Sequence, residues 1–163
     1  MPKVAIVMGS QSDMPVVEKA ISKLEEFGVD VKIMVCSAHR TPERAAEFAK
    51  NAKEDGVDVI IAAAGKAAHL PGVLAAFTTL PIIGIPIKSS FMDGMDSLLS
   101  IVQMPTGVPV ATVGVNGAEN AAILAVQIMA GKYDELSTKL TAFKKDMAEK
   151  VIASDKAINM GRK

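Results

Sequence analysis

Short apolar runs alternate with longer stretches of helical periodicity along most of this chain. The first run, Lys3-Val-Ala-Ile-Val-Met8, is apolar and β-branched after its lysine, which is typical of a strand buried on both faces. After a polar turn, apolar residues recur at spacings of three and four until Gly28, where a helix of this pattern ends. The start of the chain therefore predicts a strand, a polar turn and a helix.

The same order of elements repeats along the chain. Further strands are predicted over residues 29–36, 57–63, 81–86 and 108–113. The helices that follow them are predicted from Pro42 to Gly56, as a short Ala-rich helix to about Thr78, over 95–104 and over 118–130. The helix over 118–130 is so apolar that we expect it to be buried on every side.

The last part of the chain departs from this alternation. Residues of about 134–154 predict a final helix with an apolar stripe at spacings of three and four, formed by Leu136, Leu140, Phe143, Met147 and Val151. We expect that stripe to pack against the domain or a neighbouring subunit. Residues 156–163 are expected to form a frayed tail.

Alternating strands and helices joined by short polar turns favour right-handed crossovers and one parallel sheet. We therefore predict an α/β fold of the flavodoxin-like type, a three-layer sandwich with a parallel five-stranded sheet and an extra C-terminal helix. The length of 163 residues fits a single domain over 1–163, with its core at about 3–131.

Composition excludes several classes of protein. Apolar residues make up 50% and charged residues 22% of the chain, which excludes intrinsic disorder. The 18 basic and 18 acidic residues cancel, so no overall field attracts nucleic acid or a membrane, and an anionic ligand needs local cations. One cysteine, Cys36, excludes a disulfide framework and fits a reducing compartment. No apolar run is long enough to span a bilayer, so we expect a soluble cytoplasmic protein.

The turn after the first strand, Gly9-Ser-Gln-Ser-Asp13, lies where open α/β sheets bind their ligands. Hydroxyl groups beside a helix N-terminus favour an anion, so Ser10 and Ser12 suit a phosphate. Asp13 would repel a phosphate and suits the hydroxyl groups of a sugar better. An equally good interpretation is that Ser12 or Asp13 only caps the helix.

The second turn, Ser37-Ala-His-Arg-Thr-Pro42, places a titratable group and a fixed cation at the end of a strand. Thr41 is predicted to be the N-cap of the next helix, with Pro42 at its first position. A surface Arg40 and a backbone-held His39 are the structural alternative, but their position at the ligand edge favours function. A Cys–His nucleophile pair is a weaker alternative, because we expect Cys36 to be a buried, inert thiol.

The third turn carries His69 among small residues between Ala62 and Gly72. Such residues leave narrow walls suited to a flat ring and a very small molecule. The alternative is that they only permit tight packing, with His69 capping a helix. Histidines at two adjacent turns favour a site, but they are too few for a zinc centre, so we expect no metal.

Five motifs together are similar to those of one family, the PurE family of purine biosynthesis, in its N5-carboxyaminoimidazole ribonucleotide mutase branch. They are Gly-Ser-x-Ser-Asp at 9–13, Ser-Ala-His-Arg-Thr-Pro at 37–42, Ala-Ala-His-Leu-Pro-Gly at 67–72, Asp-Ser-Leu-Leu-Ser-Ile-Val-Gln-Met-Pro at 96–105 and Gly-Val-Pro-Val-Ala-Thr at 107–112. The resemblance extends from about Lys3 to about Val151. The string from His69 to Gly72 indicates the mutase branch rather than the direct carboxylases.

The resemblance implies a cofactor-free mutase that moves a carboxyl group from the exocyclic nitrogen of an aminoimidazole ribotide to ring carbon C4. It implies a homo-octamer with active sites at subunit contacts. It also implies that His39 transfers protons and that His69 lines the ring and carboxylate pocket. The residues implied or expected to bind the ribotide are Ser10, Ser12, Asp13, Ser37, Ala38, Arg40, Gly65, Lys66 and Leu70. Lys66 is a departure, because many relatives carry Gly there.

Two other functions remain open from the sequence. Direct carboxylation of the aminoimidazole ribotide by free carbon dioxide would use a similar site. A non-enzymatic flavodoxin-like module, either a receiver or a nucleotide binder, is the other class. A receiver needs clustered acids at the end of the first strand, where only Asp13 lies, and a flavin site favours aromatic side chains, of which only Phe91 is near this edge.

Overall fold

The computed structural model describes residues 1–160, and five parallel strands form its centre. The strands are β1 (Lys3–Met8), β2 (Asp30–Val35), β3 (Val59–Gly65), β4 (Ile82–Ile87) and β5 (Ala111–Thr112). They lie in the order β2-β1-β3-β4-β5, and every adjacent pair is parallel. This order is that of the flavodoxin-like sheets, so the predicted fold class is confirmed.

Helices cover both faces of the sheet and make the sandwich three layers thick. They are α1 (Met14–Glu26), α2 (Pro42–Asn51), α3 (Leu70–Phe77), α4 (Met95–Val102), α5 (Ala118–Met129) and α6 (Asp134–Met160). Single 3-10 turns precede α1 at Gln11–Asp13 and α4 at Met92–Gly94. Within residues 1–160, no helix has the length and apolar character needed to cross a membrane.

The core divides into two clusters because successive side chains of a strand point to opposite faces. Ile6 of β1 and Ile61 of β3 belong to the cluster that packs under α1, α5 and the start of α6. Val7 and Ile60 belong to the other cluster, under α2, α3 and α4. The continuous apolar runs of β1 and β3 therefore reflect burial on both faces, as predicted.

Two predictions about the C-terminal half of the fold, one for a strand and one for a helix, were wrong. The fifth strand was expected over 108–113 but pairs only at Ala111–Thr112. Pro109 lacks the N–H that a ladder requires, and Gly107 has a φ of 99°, so the segment before Ala111 turns instead of pairing. Helix α5 is also not buried on every side, because Gln127 and Ile128 are exposed in the single chain.

The C-terminal helix is longer than predicted. It was expected to end near residue 154 with a frayed tail over 156–163, but α6 continues to Met160. Side-chain pairs one turn apart support its last turns, including Lys150–Asp146 at 2.7 Å and Asn159–Asp155 at 3.2 Å. The rest of the expected tail, residues 161–163, lies outside the described residues.

Candidate active site

A cavity of about 390 Å³ opens at the carboxyl ends of four strands, where the turns after β1, β2, β3 and β4 meet. Its size suits a small-molecule ligand. All of the site residues expected from the sequence line it: Ser10, Ser12, Asp13, Ser37, Ala38, His39, Arg40, Gly65, Lys66, His69 and Leu70. The remaining lining residues are Gly9, Ala64, Ala67, Ile87, Lys88 and Ser89.

The turn after β1 is closed by its serines. The Ser10 hydroxyl oxygen accepts hydrogen bonds from the backbone N–H of Ser12 at 3.3 Å and from the Ser12 hydroxyl at 2.9 Å. Ser10 therefore caps the 3-10 turn. Neither Ser12 nor Asp13 caps α1 in the predicted way, since Asp13 is the N-cap residue but its side chain makes no capping bond. The capping interpretation thus does not account for the Asp13 carboxyl.

Asp13 is a buried carboxyl group at the wall of the cavity, with a relative exposure of 9%. Burial raises the pKa of Asp13 above its ordinary value of 3.8, against the opposite effect of hydrogen bonds with Ser10 and Ser12. The Ser12 hydroxyl lies 3.5 Å from the carboxyl oxygen Oδ1. The carboxyl thus keeps capacity to accept hydrogen bonds from a ligand that enters the cavity.

The turn after β2 is held by Ser37 and Thr41. The Thr41 hydroxyl donates to the backbone oxygen of Ser37 at 2.9 Å and accepts from its N–H at 3.1 Å. Thr41 is the N-cap residue of α2 with Pro42 following, as predicted, but its hydroxyl bonds within the turn and not to the helix. This geometry places the intervening His39 and Arg40 at the cavity.

Arg40 connects two turns. Its backbone N–H and its Nε both donate to the Ser37 hydroxyl, at 3.2 and 3.4 Å, and its Nη2 donates to the backbone oxygen of Gly9 at 3.3 Å. The guanidinium group is thereby fixed beside the serines of the first turn. A planar cation next to two hydroxyl groups is an arrangement that suits a phosphate.

The two histidines of the chain contact each other. His39 Nε2 lies 2.7 Å from His69 Nδ1, and the rings are 4.9 Å apart at 86°, an edge-to-face arrangement. One nitrogen of this pair donates and the other accepts, so one proton lies in the hydrogen bond that joins the two rings. His69 is the N-cap residue of α3 without a side-chain capping bond, which removes the purely structural role considered for it.

The wall after β3 is made of small residues. Ala64, Gly65 and Ala67 all line the cavity. A Cβ on Gly65 would lie 3.4 Å from the backbone oxygen of Ile87, so the glycine allows the strands β3 and β4 to approach closely at this edge. Lys66, which follows, has a φ of 56°, in the left-handed region that favours glycine.

The fourth turn adds lining residues that were not among the site residues expected from the sequence. Lys88 and Ser89 line the cavity directly after β4. Lys88 pairs with Asp93 at 3.1 Å, and its backbone N–H donates to Asn116 at 2.9 Å. The signal that could have found these residues is their position after the strand that neighbours β3.

Two expectations concern other chemistry at this edge. Cys36 is buried at 2% exposure, as predicted, and its Sγ lies 3.5 Å from the Thr41 hydroxyl, while the thiol does not line the cavity. Among residues 1–160, no three His, Cys, Asp or Glu side chains gather in an arrangement that could hold a metal ion.

Comparison with known proteins places this chain among proteins of similar sequence and fold. The model of the AIR carboxylase family matches residues 3–150. A protein of Pyrococcus abyssi named N5-carboxyaminoimidazole ribonucleotide mutase is 60% identical over 147 residues, covering 90% of this chain and 84% of the relative. A protein of Thermotoga maritima with the same name is 57% identical, covering 93% and 89%. The crystal structure of Treponema denticola PurE superimposes with a TM-score of 0.86 at 32% identity, covering 96% of this chain and 98% of the other.

Proposed function

The chain belongs to the AIR carboxylase family, and from that premise we propose that it converts N5-carboxyaminoimidazole ribonucleotide into 4-carboxy-5-aminoimidazole ribonucleotide. It is a mutase, an isomerase that acts in purine biosynthesis. The observation that supports the proposed mechanism best is the contact between His39 and His69 inside a cavity of ligand size. The function is proposed to operate in the cytoplasm, in keeping with a single buried cysteine.

The first step of the proposed reaction needs a proton. A histidine of the pair protonates the exocyclic nitrogen of the substrate, the bond from that nitrogen to the carboxyl carbon breaks, and its electron pair stays on the nitrogen. Carbon dioxide and a neutral, electron-rich aminoimidazole result. His39 is assigned as this acid because it projects from the turn that also carries Arg40, the residue proposed to hold the substrate.

The second step returns the proton. Ring carbon C4 attacks the carbon of the trapped carbon dioxide, a carbon–carbon bond forms, and the proton on C4 passes to the histidine that gave one away. The reaction therefore consumes no net proton and no cofactor. His69, 2.7 Å from His39, is proposed to orient that ring and to line the carboxyl end of the cavity.

The rest of the cavity is proposed to bind the parts of the ribotide that do not react. Arg40 and the hydroxyl groups of Ser10 and Ser12 hold the phosphate, with Ser37 fixing the guanidinium group. Asp13 accepts hydrogen bonds from the ribose. Ala38, Gly65, Lys66 and Leu70 complete the walls. Carbon dioxide held against the small residues after β3 reacts as a positioned neighbour, which replaces a bimolecular encounter.

A homo-octamer is proposed as the assembly that completes this site. Helix α4 exposes one apolar face, with Met95, Leu99 and Val102 at 48%, 47% and 48% exposure. Phe91 and Met92, just before that helix, are exposed at 64% and 56%. Contact between copies of the chain would cover this surface. Light scattering is expected to give a mass eight times that of the 17.1 kDa chain, and a monomer mass at working concentration would contradict it.

The direct test of the function supplies synthetic N5-carboxyaminoimidazole ribonucleotide without ATP. The enzyme is expected to form the C4-carboxylated ribotide at a rate proportional to enzyme concentration, followed by the absorbance of the aminoimidazole. Absence of conversion by the folded protein would contradict the function. Conversion that depends strictly on added bicarbonate would indicate direct carboxylation of free ribotide instead.

A further inference from the structure

Lys66 stands at the ligand edge of β3 in a backbone conformation that is unusual for its residue type. Its φ of 56° lies in the left-handed region, where glycine is favoured and a Cβ is crowded. Its side chain is exposed and lines the cavity that contains His39 and His69, called the histidine cavity below. A charged residue in a strained conformation inside a candidate active site is a candidate for a functional role.

The side chains of the other cations of the cavity are held in place by protein groups. Lys88 pairs with Asp93 at 3.1 Å. Arg40 donates to the backbone oxygen of Gly9 and to Ser37. In the part of the chain that the structure describes, the Lys66 ammonium makes no ion pair and no hydrogen bond, so its charge is available to a ligand.

The strand order separates the cations along the sheet edge. Arg40 follows β2 and contacts the turn after β1, whereas Lys66 follows β3, on the other side of β1 from β2. His39 and His69 bridge the same gap, one from each side. A ligand with two anionic groups at opposite ends of a flat ring would thus meet Arg40 at one end, the histidines in the middle and Lys66 at the other.

A second cavity gives the ammonium an alternative direction. Lys66 and Ala67 also line a neighbouring space of about 510 Å³, together with Ser90, Phe91, Asp96 and Ser100. The Oδ1 of Asp96 is buried there without a hydrogen-bond partner. A lysine that turned to Asp96 would be neutralised and would add nothing to the histidine cavity, so the two directions predict different ligand affinities.

We propose that Lys66 recognises the carboxyl group that migrates, by pairing its ammonium with the carboxylate of the substrate and of the product. This inference rests on the proposed function and assigns a role within it. The carboxyl group is the part of the ribotide whose charge changes, since it leaves as neutral carbon dioxide and returns as a carboxylate. Lys66 therefore stabilises both carboxylated ribotides relative to the intermediate state and sets the preference of the site for carboxylated over uncarboxylated ligands.

The test compares two ligands that differ only in this group. Binding of 4-carboxy-5-aminoimidazole ribonucleotide and of 5-aminoimidazole ribonucleotide is measured by calorimetry for the wild type, Lys66→Asn and Lys66→Arg. Asn is chosen because it tolerates the left-handed conformation, so the backbone of the turn is kept. Lys19→Asn, on the exposed face of α1 and outside the cavity, is the control for loss of a surface charge.

Lys66→Asn is expected to bind the carboxylated ribotide about 10-fold more weakly, the loss typical of one charge-assisted partner, and the uncarboxylated ribotide within twofold of the wild type. Lys66→Arg should restore most of the difference, and Lys19→Asn should change neither affinity. Equal weakening of both ligands would mean that residue 66 acts through the shape of the turn, and no change in either would mean that Lys66 pairs elsewhere, as with Asp96. Either result overturns the role of Lys66 in binding the carboxyl group. Neither result bears on the proposed function, which the conversion assay tests separately.

Discussion

Carboxyl groups at the two ends of the central sheet differ in how many hydrogen bonds the protein gives them. At the amino end, the Asp58 carboxylate accepts hydrogen bonds from the backbone N–H of Lys3 at 3.0 Å, from Lys132 at 2.7 Å and from the Tyr133 hydroxyl at 3.1 Å. At the carboxyl end, the Asp13 carboxyl interacts, among residues 1–160, only with Ser10 and Ser12 of its own turn, the Ser12 hydroxyl at 3.5 Å, and lies beside an open cavity. The carboxylate at the amino end is bound by protein donors, whereas the carboxyl group at the carboxyl end keeps acceptor capacity for the proposed ligand.

The pKa values of the two carboxyl groups express this difference. Burial alone would raise both, but at Asp58 the hydrogen bonds and the charge of Lys132 outweigh it and lower the pKa below 3.8. At Asp13 burial prevails and the pKa is raised. Asp58 thus stabilises the fold by joining the start of β1 and of β3 to the α5–α6 connection. Asp13 costs stability where it lies, which fits its proposed role in ligand binding.

Loss of the proposed proton carrier should produce the largest effect at the carboxyl end. His39→Asn keeps polarity and much of the shape, but a carboxamide cannot donate a proton and take it back near neutral pH, so turnover is expected to fall by at least about 100-fold. Thermal unfolding should stay close to the wild type, because the ring is exposed. His69→Asn should lose less, since it orients its neighbour. Activity of His39→Asn within a few-fold of the wild type would refute its role.

Removal of the guanidinium group should act on binding before it acts on chemistry. The phosphate does not change during the reaction, so Arg40→Ala is expected to raise KM and the ribotide Kd by roughly 10-fold to 100-fold with a smaller change in kcat. Arg44→Ala, in the helix that follows the turn of Arg40 and outside the cavity, is the matched control and should bind normally. Unchanged affinity of Arg40→Ala in calorimetry would show that the phosphate lies elsewhere.

At the amino end the expected effect is on stability and not on activity. Asp58→Asn should lower the free energy of unfolding by about 1 to 2 kcal/mol at pH 7, since it removes the charge that accepts three hydrogen bonds. The exposed pair of Asp55 with Lys32, at 2.9 Å, supplies the control, and Asp55→Asn should cost less than about 0.5 kcal/mol. Urea unfolding measures both. Equal losses for the two variants would contradict a special role for Asp58.

The pH dependence sharpens this prediction. Because the folded pKa of Asp58 lies below its ordinary value of 3.8, the carboxylate contributes stability above that value and loses it as the pH falls through the folded pKa. The difference in unfolding free energy between the wild type and Asp58→Asn should therefore be full at pH 7 and shrink below pH 3.8. A difference that grows on acidification would have the wrong sign.

Asp13 should show the smallest effect on stability, with the opposite sign. Its raised pKa means that the protonated form is favoured in the folded state, so its contribution is present below 3.8 and lost as the pH rises through the folded pKa. Asp13→Asn is thus expected to be slightly more stable than the wild type at pH 7, by less than about 1 kcal/mol, while binding the ribotide more weakly. Destabilisation at pH 7 would place Asp13 with Asp58 as a structural carboxylate.

Much of the candidate site at the carboxyl end could be predicted from the sequence, because the turns that follow parallel strands lie at one edge of the sheet. Ser10 and Asp13, His39 and Arg40, and His69 are each local to one turn, and the alternation of strands and helices is enough to bring those turns together. The direct contact of the two histidines was not predictable in the same way. It depends on the order β2-β1-β3 and on the hydroxyl bonds that close the turn at Ser37.

The contacts of Asp58 at the amino end of the sheet could not be predicted from the sequence. Asp58 is 55 residues from Lys3 and about 75 from Lys132 and Tyr133, so no local pattern indicates that they meet. The short β5 and the long α6 were missed for related reasons. The length of β5 depends on which N–H groups face a partner strand, and the length of α6 depends on side-chain pairs along an exposed helix.

The proposed mechanism requires the carboxyl group to stay in the cavity between the two chemical steps. Unlabelled N5-carboxyaminoimidazole ribonucleotide is converted in the presence of ¹³C-labelled bicarbonate, and the early product is examined by mass spectrometry before the reaction reverses. Carbon dioxide confined beside C4 has a much higher effective concentration than carbon dioxide in the medium, so the first product should be almost entirely unlabelled. Stoichiometric incorporation of the label from the first turnovers would contradict retention and identify a direct carboxylase.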